Sequence, residues 1–394
     1  MSKLEELIEQ YCPDGVKYVK LGDFVTQWYR GAGIKKDEIA QEGIPCIRYG
    51  EIHTIYKIWF DKCISHTDEA KQPSKKYADY GDILFAITSE DIPFIGNSVA
   101  YMGKDRIMVG GDIVVMKHTQ NPKYISYALS TIDAVSQKGK GKVKSKVVHT
   151  NVPSLKEIVI PVPPLPVQEE IVRILDTFTE LQAELQAELQ AELQKRKQQY
   201  NYYRDNLLSN GGNNAEYLAI PEFAELKAGK AIKATELSSI MDENHSYPCF
   251  GGNGIRGFIK KASHNGDYAI IGRQGALCGC VNWASGEFYA TEHAVVCTPR
   301  FNVSSRYLYH LFTIADLNQY KSQGAQPGLS VQRLNELVFP IPSIAEQQRI
   351  VSILDRFDRL TNDLTSGLPA EIEKRKQQYE YYRDKLLTFK RKGA

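Results

Sequence analysis

Apolar residues at Ile171, Ile174, Leu175, Phe178, Leu181 and Leu185 fall three and four positions apart, the period of one helix face. No glycine or proline interrupts the stretch from about Gln168 to Leu208. The pattern predicts one continuous rod of roughly 60 Å at about 1.5 Å per residue, with that stripe buried. A second stretch, from about Gln347 to Leu387, has the same length. It carries Gly367-Leu368-Pro369 where the first has Glu188-Leu189-Gln190, which predicts a kink or break. Before each helix a short apolar strand ends in Pro-x-Pro, at Pro161 and Pro163 and again at Pro340 and Pro342. Proline lacks the ladder donor and disfavours helix at the residue before it, so each motif marks a stop and a turn.

The two stretches belong to a longer duplication. Residues 152–208 and 331–387 align without a gap: Leu155 with Leu334, Asp176 with Asp355 and Lys195 with Lys374 are each 179 positions apart. Just over half of the positions are identical. A globular segment precedes each copy. The two begin alike, at Tyr18–Phe24 and Tyr217–Phe223, and each has a Gly-Asp strand start, Gly81-Asp82 and Gly266-Asp267. Between these anchors identity is slight. The chain therefore reads variable, repeated, variable, repeated.

Composition narrows the class. With 394 residues, 42% hydrophobic and 24% charged, the chain is ordinary folded protein of two to four domains. No apolar run approaches the ~20 residues of a membrane span, and MSKLEELIEQ reads as a charged helix opening rather than a signal peptide. Seven cysteines without a CxxC suggest neither a disulfide framework nor a zinc site, and point to a reduced cytoplasmic chain. Cys278 and Cys280 read as small apolar strand residues. A net charge of +2 does not by itself identify a polyanion partner, so any nucleic-acid reading rests on local charge.

Catalytic constellations are missing. Gly252-Asn253-Gly254-Ile255-Arg256-Gly257 fits GxGxxG, but Phe258-Ile259-Lys260-Lys261 runs directly into Asn265-Gly266-Asp267 and leaves no room for the helix a nucleotide site needs. Asn253-Gly254 reads as a hairpin turn. There is no GxSxG, HExxH or Walker lysine, and His293 after Glu292 reads as a strand residue. No metal site and no cofactor are expected. The enzyme alternative is a DNA adenine methyltransferase with an S-adenosylmethionine pocket at Phe250–Gly257.

Binding chemistry is present. Lys138, Lys140, Lys142, Lys144 and Lys146 alternate with Gly139, Gly141, Val143 and Ser145, and this concentrated charge on a flexible backbone suits phosphate contacts. A solvated loop would look the same. Lys321, Gln323 and Gln326 form a sparser counterpart. Arg48-Tyr49 in IRYGEIHT, Arg273-Gln274 after YAIIG, and Asn253 and Arg256 of the hairpin complete the candidate DNA contacts. Late in each helix, Tyr200, Tyr203, Arg204 and Leu207 share one face, as do Tyr379, Tyr382, Arg383 and Leu386. That face fits a seam between the helices or a docking surface for a partner subunit, with the arginines favouring the partner.

Ile160–Asp176 (IPVPPLPVQEEIVRILD) and Phe339–Asp355 (FPIPSIAEQQRIVSILD) share PxPxxxxQxxIVxILD, and both copies continue to KRKQQY-x-YYRD. With the order of variable and repeated parts, the whole chain resembles the specificity subunits of type I restriction-modification enzymes. The resemblance implies an α+β architecture. Two mixed α/β target-recognition domains, 1–151 and 211–330, would be joined by two long antiparallel helices in the repeated regions 152–210 and 331–394, with a pseudo-two-fold repeat. Each domain would read one half of a split DNA site. The helices would dock two methyltransferase subunits, and two restriction subunits would complete the nuclease. Catalysis would lie on those partners.

Overall fold

The computed structural model describes residues 2–140, 146–209, 215–275, 277–322, 327–362 and 365–393. Two compact units divide the chain, Met1–Ala187 with Glu373–Ala394, and Glu188–Ile372. Each holds one variable segment, the start of the helix that follows it, and the end of the other helix.

In the first unit, strands Val25–Arg30, Ile113–His118, Ile83–Ala86, Ser98–Tyr101 and Trp59–Phe60 form one sheet in that order. Ile39–Ala40, Ser65–Thr67, Ile44–Ile47, Ile107–Val109 and Tyr77–Ala78 form another. Successive residues of the central strands point to opposite faces. Ile83, Phe85, Val114 and Met116 enter a core shared with helix Pro122–Leu129 and the long helix, while Leu84, Ala86, Ile113 and Val115 enter a second core. The second unit repeats the plan with two four-stranded sheets. There Ala269, Ile271, Val295 and Cys297 face the helix-side core, and Ile270, Ala294 and Val296 the other.

The first long helix runs unbroken over Leu165–Ser209, since its Glu, Leu, Gln and Ala are all strong helix formers. The second is split into Ile344–Asn362 and Gly367–Leu386, so the expected break falls just before Gly-Leu-Pro. Gly367 has φ +79°, and a Cβ there would lie 2.7 Å from the Arg359 carbonyl oxygen and 2.9 Å from that of Leu360. Only glycine fits there.

The expected buried stripe is shorter than its pattern. Ile171 and Leu175 are buried, whereas Phe178 and Leu181 are 41% and 56% exposed. The core that buries the stripe includes nothing on this helix beyond Leu175, and of the remaining positions with the same spacing only Leu185 is half-buried. Cys278 is buried in a turn and Cys280 follows it, outside the strand predicted for them. All seven cysteines are free thiols.

The repeated motif ties each helix to its variable segment. Gln168 Oε1 accepts the Asn121 N–H at 3.0 Å, and its Nε2 donates to the Pro163 carbonyl at 2.7 Å. Gln347 does the same, to the Ser304 N–H at 2.9 Å and the Pro342 carbonyl at 2.8 Å. The Tyr124 hydroxyl donates to the Pro161 carbonyl at 3.0 Å, and that of Tyr307 to the Pro340 carbonyl at 2.9 Å. Asp176 accepts from Lys123 at 2.6 Å and Tyr127 at 2.9 Å. Asp355 accepts from Arg306 at 2.8 Å and meets His310 Nε2 at 2.7 Å. Burial works to raise the Asp355 pKa, but the His310 and Arg306 bonds outweigh it and hold the carboxyl below its usual range. The Gln, Pro and Asp of PxPxxxxQxxIVxILD are thus a clamp, repeated because both variable segments are held the same way.

Candidate nucleic-acid interface

Each unit carries an open cleft at the same place in its backbone. In the first, parallel strands Ile44–Ile47 and Ile107–Val109 end side by side, with the Gly110 N–H donating to the Ile47 carbonyl at 2.9 Å. In the second, Tyr247–Gly251 and Glu287–Ala290 do so, with the Thr291 N–H donating to the Phe250 carbonyl at 3.0 Å. The chain then crosses to the other sheet. There the Ile87 N–H donates to the Asp112 carbonyl at 3.0 Å and the Arg273 N–H to the His293 carbonyl at 2.9 Å. A residue lies close over each crossing: a Cβ on Gly31 would meet the Gly110 carbonyl oxygen at 2.1 Å, and one on Gly229 the Ala290 carbonyl oxygen at 2.0 Å. Matching bonds pair Arg48 with Gly251, Gly111 with Glu292 and Asp112 with His293 in position. The backbone is common while the side chains differ.

The first cleft, about 590 Å³, is lined by Arg48, Tyr49, Glu51, Lys36, Gly110 and Asp112 among others. Arg48 is half-buried and Tyr49 is 39% exposed, edge-on to His53. Asp112 accepts from Arg30 at 2.7 Å. The second cleft, about 700 Å³, is lined by Gly251, Gly252, Asn253, Arg256, Gln274 and His293 among others. Asn253, Arg256 and Gln274 are exposed, and Arg273 is half-buried. The structure thus brings Arg48 with Tyr49, and Asn253 with Arg256 and Gln274, into two clefts. Residues 250–257 form a hairpin in which Gly251 pairs with Gly254 around the turn, with no following helix. Lys36, the Gly110–Asp112 turn and His293 were missed. His293 lies in the turn between Glu287–Ala290 and Ala294–Pro299 and is not a strand residue.

The lysine cluster is not uniform. Lys140 and Lys146 are exposed, and Lys142 and Lys144 lie outside the described residues, as do Gln323 and Gln326. Lys138 requires a correction: it is 6% exposed, and its ammonium donates to the Leu129 carbonyl at 2.8 Å. Burial pulls its pKa down to about 7. It anchors the end of helix Ile132–Gly139 and does not face a phosphate. Lys321 is exposed and donates to Asn318 Oδ1 at 2.8 Å.

On the helix ends, Tyr379 is half-buried and its hydroxyl lies 2.7 Å from Thr179 Oγ1. Tyr200 and Tyr203 pack against Phe357, with ring centroids 6.3 and 5.7 Å away. These rings serve the pairing of helix segments within each unit. Tyr203 and Tyr382 nevertheless stay 41% and 44% exposed, beside Tyr202 and Tyr381 at 67% and 61%, in matching edge-on pairs. Arg204 donates to Asp205 at 2.8 Å and sits over the Tyr200 ring at 5.6 Å. Arg383 is a further correction. It is 8% exposed and held by Asp384, whose other oxygen accepts the Ile132 N–H at 2.9 Å, so it braces the unit instead of facing a partner.

A family model described as the type I restriction modification DNA specificity domain matches residues 13–195 and 213–374, one copy per variable-plus-repeated segment. The chain belongs to this family. It is 34% identical over 295 residues to the EcoR124I/EcoR124II specificity subunit of Escherichia coli, covering 68% of this chain and 70% of that one. It is 47% identical over 235 residues to the EcoprrI specificity subunit of Escherichia coli, covering 57% of this chain and 59% of that relative. A chain of a solved type I R-M system, from work on its complex assembly and conformational transition, matches the fold at a TM-score of 0.69. It is 17% identical, with 95% of this chain and 97% of that one covered. The self-contained methyltransferase reading finds no support in the family or in these relatives. Among the described residues no helix is long and apolar enough to cross a membrane.

Proposed function

We propose that this chain is the cytoplasmic DNA-recognition subunit of a type I restriction-modification complex, catalysing nothing itself and needing no cofactor. The domains 1–151 and 211–330 each read one half of a split site, and the repeated helices carry the partners. Two methyltransferase subunits dock along them and two restriction subunits join that assembly. One observation carries the reading: two copies of one backbone cleft, lined by different side chains, are held by two copies of one clamp. An enzyme would need the same chemistry in both, whereas a reader of an asymmetric site needs the same frame and different contacts. Arg48, Tyr49, Asn253, Arg256, Arg273 and Gln274 supply groups for base edges. Lys140, Lys142, Lys144, Lys146, Lys321 and Gln323 supply phosphate or groove contacts. The exposed tyrosine pairs, with Phe178 and Leu181, offer the apolar surface a docked subunit would cover.

The test is a genome-wide map of methylated bases in a methylation-free host expressing this chain with its methyltransferase subunit. A two-part asymmetric site with a fixed gap is expected. An undivided site, or S-adenosylmethionine binding by the chain alone, would overturn the reading.

A further inference from the structure

Buried polar atoms normally have partners, and an unpaired one is costly unless a ligand supplies the missing bond. Among the described residues, seven buried side-chain atoms lack one; two belong to residues that line the clefts, Arg48 Nε and His293 Nδ1, and a third, Glu292 Oε2, to the neighbour of His293 in the chain. In the first cleft Glu51 does not satisfy Arg48. Its Oε1 lies 3.6 Å from Nε, beyond hydrogen-bond reach, and already accepts from Ser65 Oγ at 2.6 Å. Glu51 balances the charge and leaves a donor in want of an acceptor. In the second cleft the sense is reversed. His293 Nε2 lies 3.2 Å from Glu292 Oε1, and a carboxylate on that side of the ring favours the tautomer with its proton on Nε2. Nδ1 is then an acceptor in want of a donor, as is Glu292 Oε2. The two groups stand on opposite walls, because Arg48 matches Gly251 in position and His293 matches Asp112.

We propose that Arg48 and His293, the latter oriented by Glu292, are specificity-determining contacts of the two half-sites, with opposite hydrogen-bonding sense. The proposal rests on the DNA-reading function above and assigns a base class to each half. Arg48 takes a base-edge acceptor, which guanine offers best through O6 and N7. His293 takes a base-edge donor, the exocyclic amino group of adenine or cytosine. Both unpaired atoms are shut off from solvent in the free chain, so the contacts form with a change of rotamer, a common adjustment at interfaces.

The experiment maps methylated sites for the complex of this chain with its methyltransferase subunit, carrying Arg48→Ala, His293→Ala or His293→Gln. Arg48→Ala should relax one G·C position of one half-site by about 10- to 100-fold in discrimination and leave the other half unchanged. His293→Ala should relax one A·T or C·G position of the opposite half by a similar factor. His293→Gln, whose amide oxygen can accept the same bond, should keep most of that selectivity. Melting curves for each variant confirm folding before sites are compared. A folded Arg48→Ala or His293→Ala complex with an unaltered site would overturn this assignment, as would His293→Gln relaxing its half-site as far as His293→Ala. A wild-type complex without a split site would instead overturn the DNA reading beneath it.

Discussion

The clamp and the cleft follow opposite rules within the same two units. At the clamp, Gln168 and Gln347 make matching bonds, as do Tyr124 and Tyr307, and Asp176 and Asp355 face a cation at the same place. At the cleft, backbone bonds match residue for residue, yet Arg48 stands opposite Gly110 and Asp112 in one unit while Gly251 stands opposite His293 in the other. Holding a domain is one task performed twice, so its chemistry is kept. On the function proposed above, reading two different half-sites is two tasks, which would keep only the frame. Even the clamp varies where its partner lies on the variable side: Tyr127 and His310 both meet the repeated aspartate.

The sharpest way to break this comparison is to remove the amide from each clamp. Gln168→Leu and Gln347→Leu each strand a part-buried N–H and a buried carbonyl, so each should destabilise its own unit by about 3 kcal/mol. Equal losses, read by hydrogen exchange in each unit, are expected. A loss confined to one unit would show that the clamps are alike in sequence only.

A smaller effect separates the units by pH. Lys138 has a depressed pKa in the folded chain, about 7, against about 10.4 when unfolded. Below pH 7 both states are protonated and folding carries the full penalty of a buried ammonium. Between the two values the unfolded chain binds the extra proton, so this group makes stability rise with pH. Between pH 7 and 9 the contribution is about 2 kcal/mol. Lys138→Met should remove that slope from the first unit and leave the second unaffected, as pH-dependent melting with unit-resolved exchange would show. The same slope in wild type and variant would refute the buried-ammonium account.

The parts legible in the sequence are those fixed by local chemistry or by repetition. The unbroken helix follows from helix formers without glycine or proline, the break from Gly367, and the hairpin from the glycines around Asn253. Sheet faces were not legible, because central strands such as Ile83–Ala86 and Tyr268–Gly272 are buried on both sides and show no apolar–polar alternation. The clefts gather residues distant along the chain, such as Lys36, Arg48 and Asp112, so only the pieces with suggestive neighbours stood out. His293 sits in a stretch that reads as strand. Lys138 matches its exposed neighbours in sequence and differs only in lying on the inward face of the last turn of its helix.

The central claim, two readers on one frame, is tested most directly by the spacing between half-sites. Glu180–Ala191 is ELQA three times, continued by Glu192-Leu193-Gln194, and the division between the compact units falls inside this run. One ELQA adds about 6 Å of helix and about 40° beyond a full turn, against about 3.4 Å and about 35° per DNA base pair. Rotation favours one base pair over two, because wrong phasing turns a cleft from its groove while DNA absorbs small length errors. The measurement is the methylated-site map after inserting or deleting one ELQA. Both half-sites should keep their sequences while the gap changes by one base pair. An active complex with an unchanged gap, or with an altered half-site, would contradict the account.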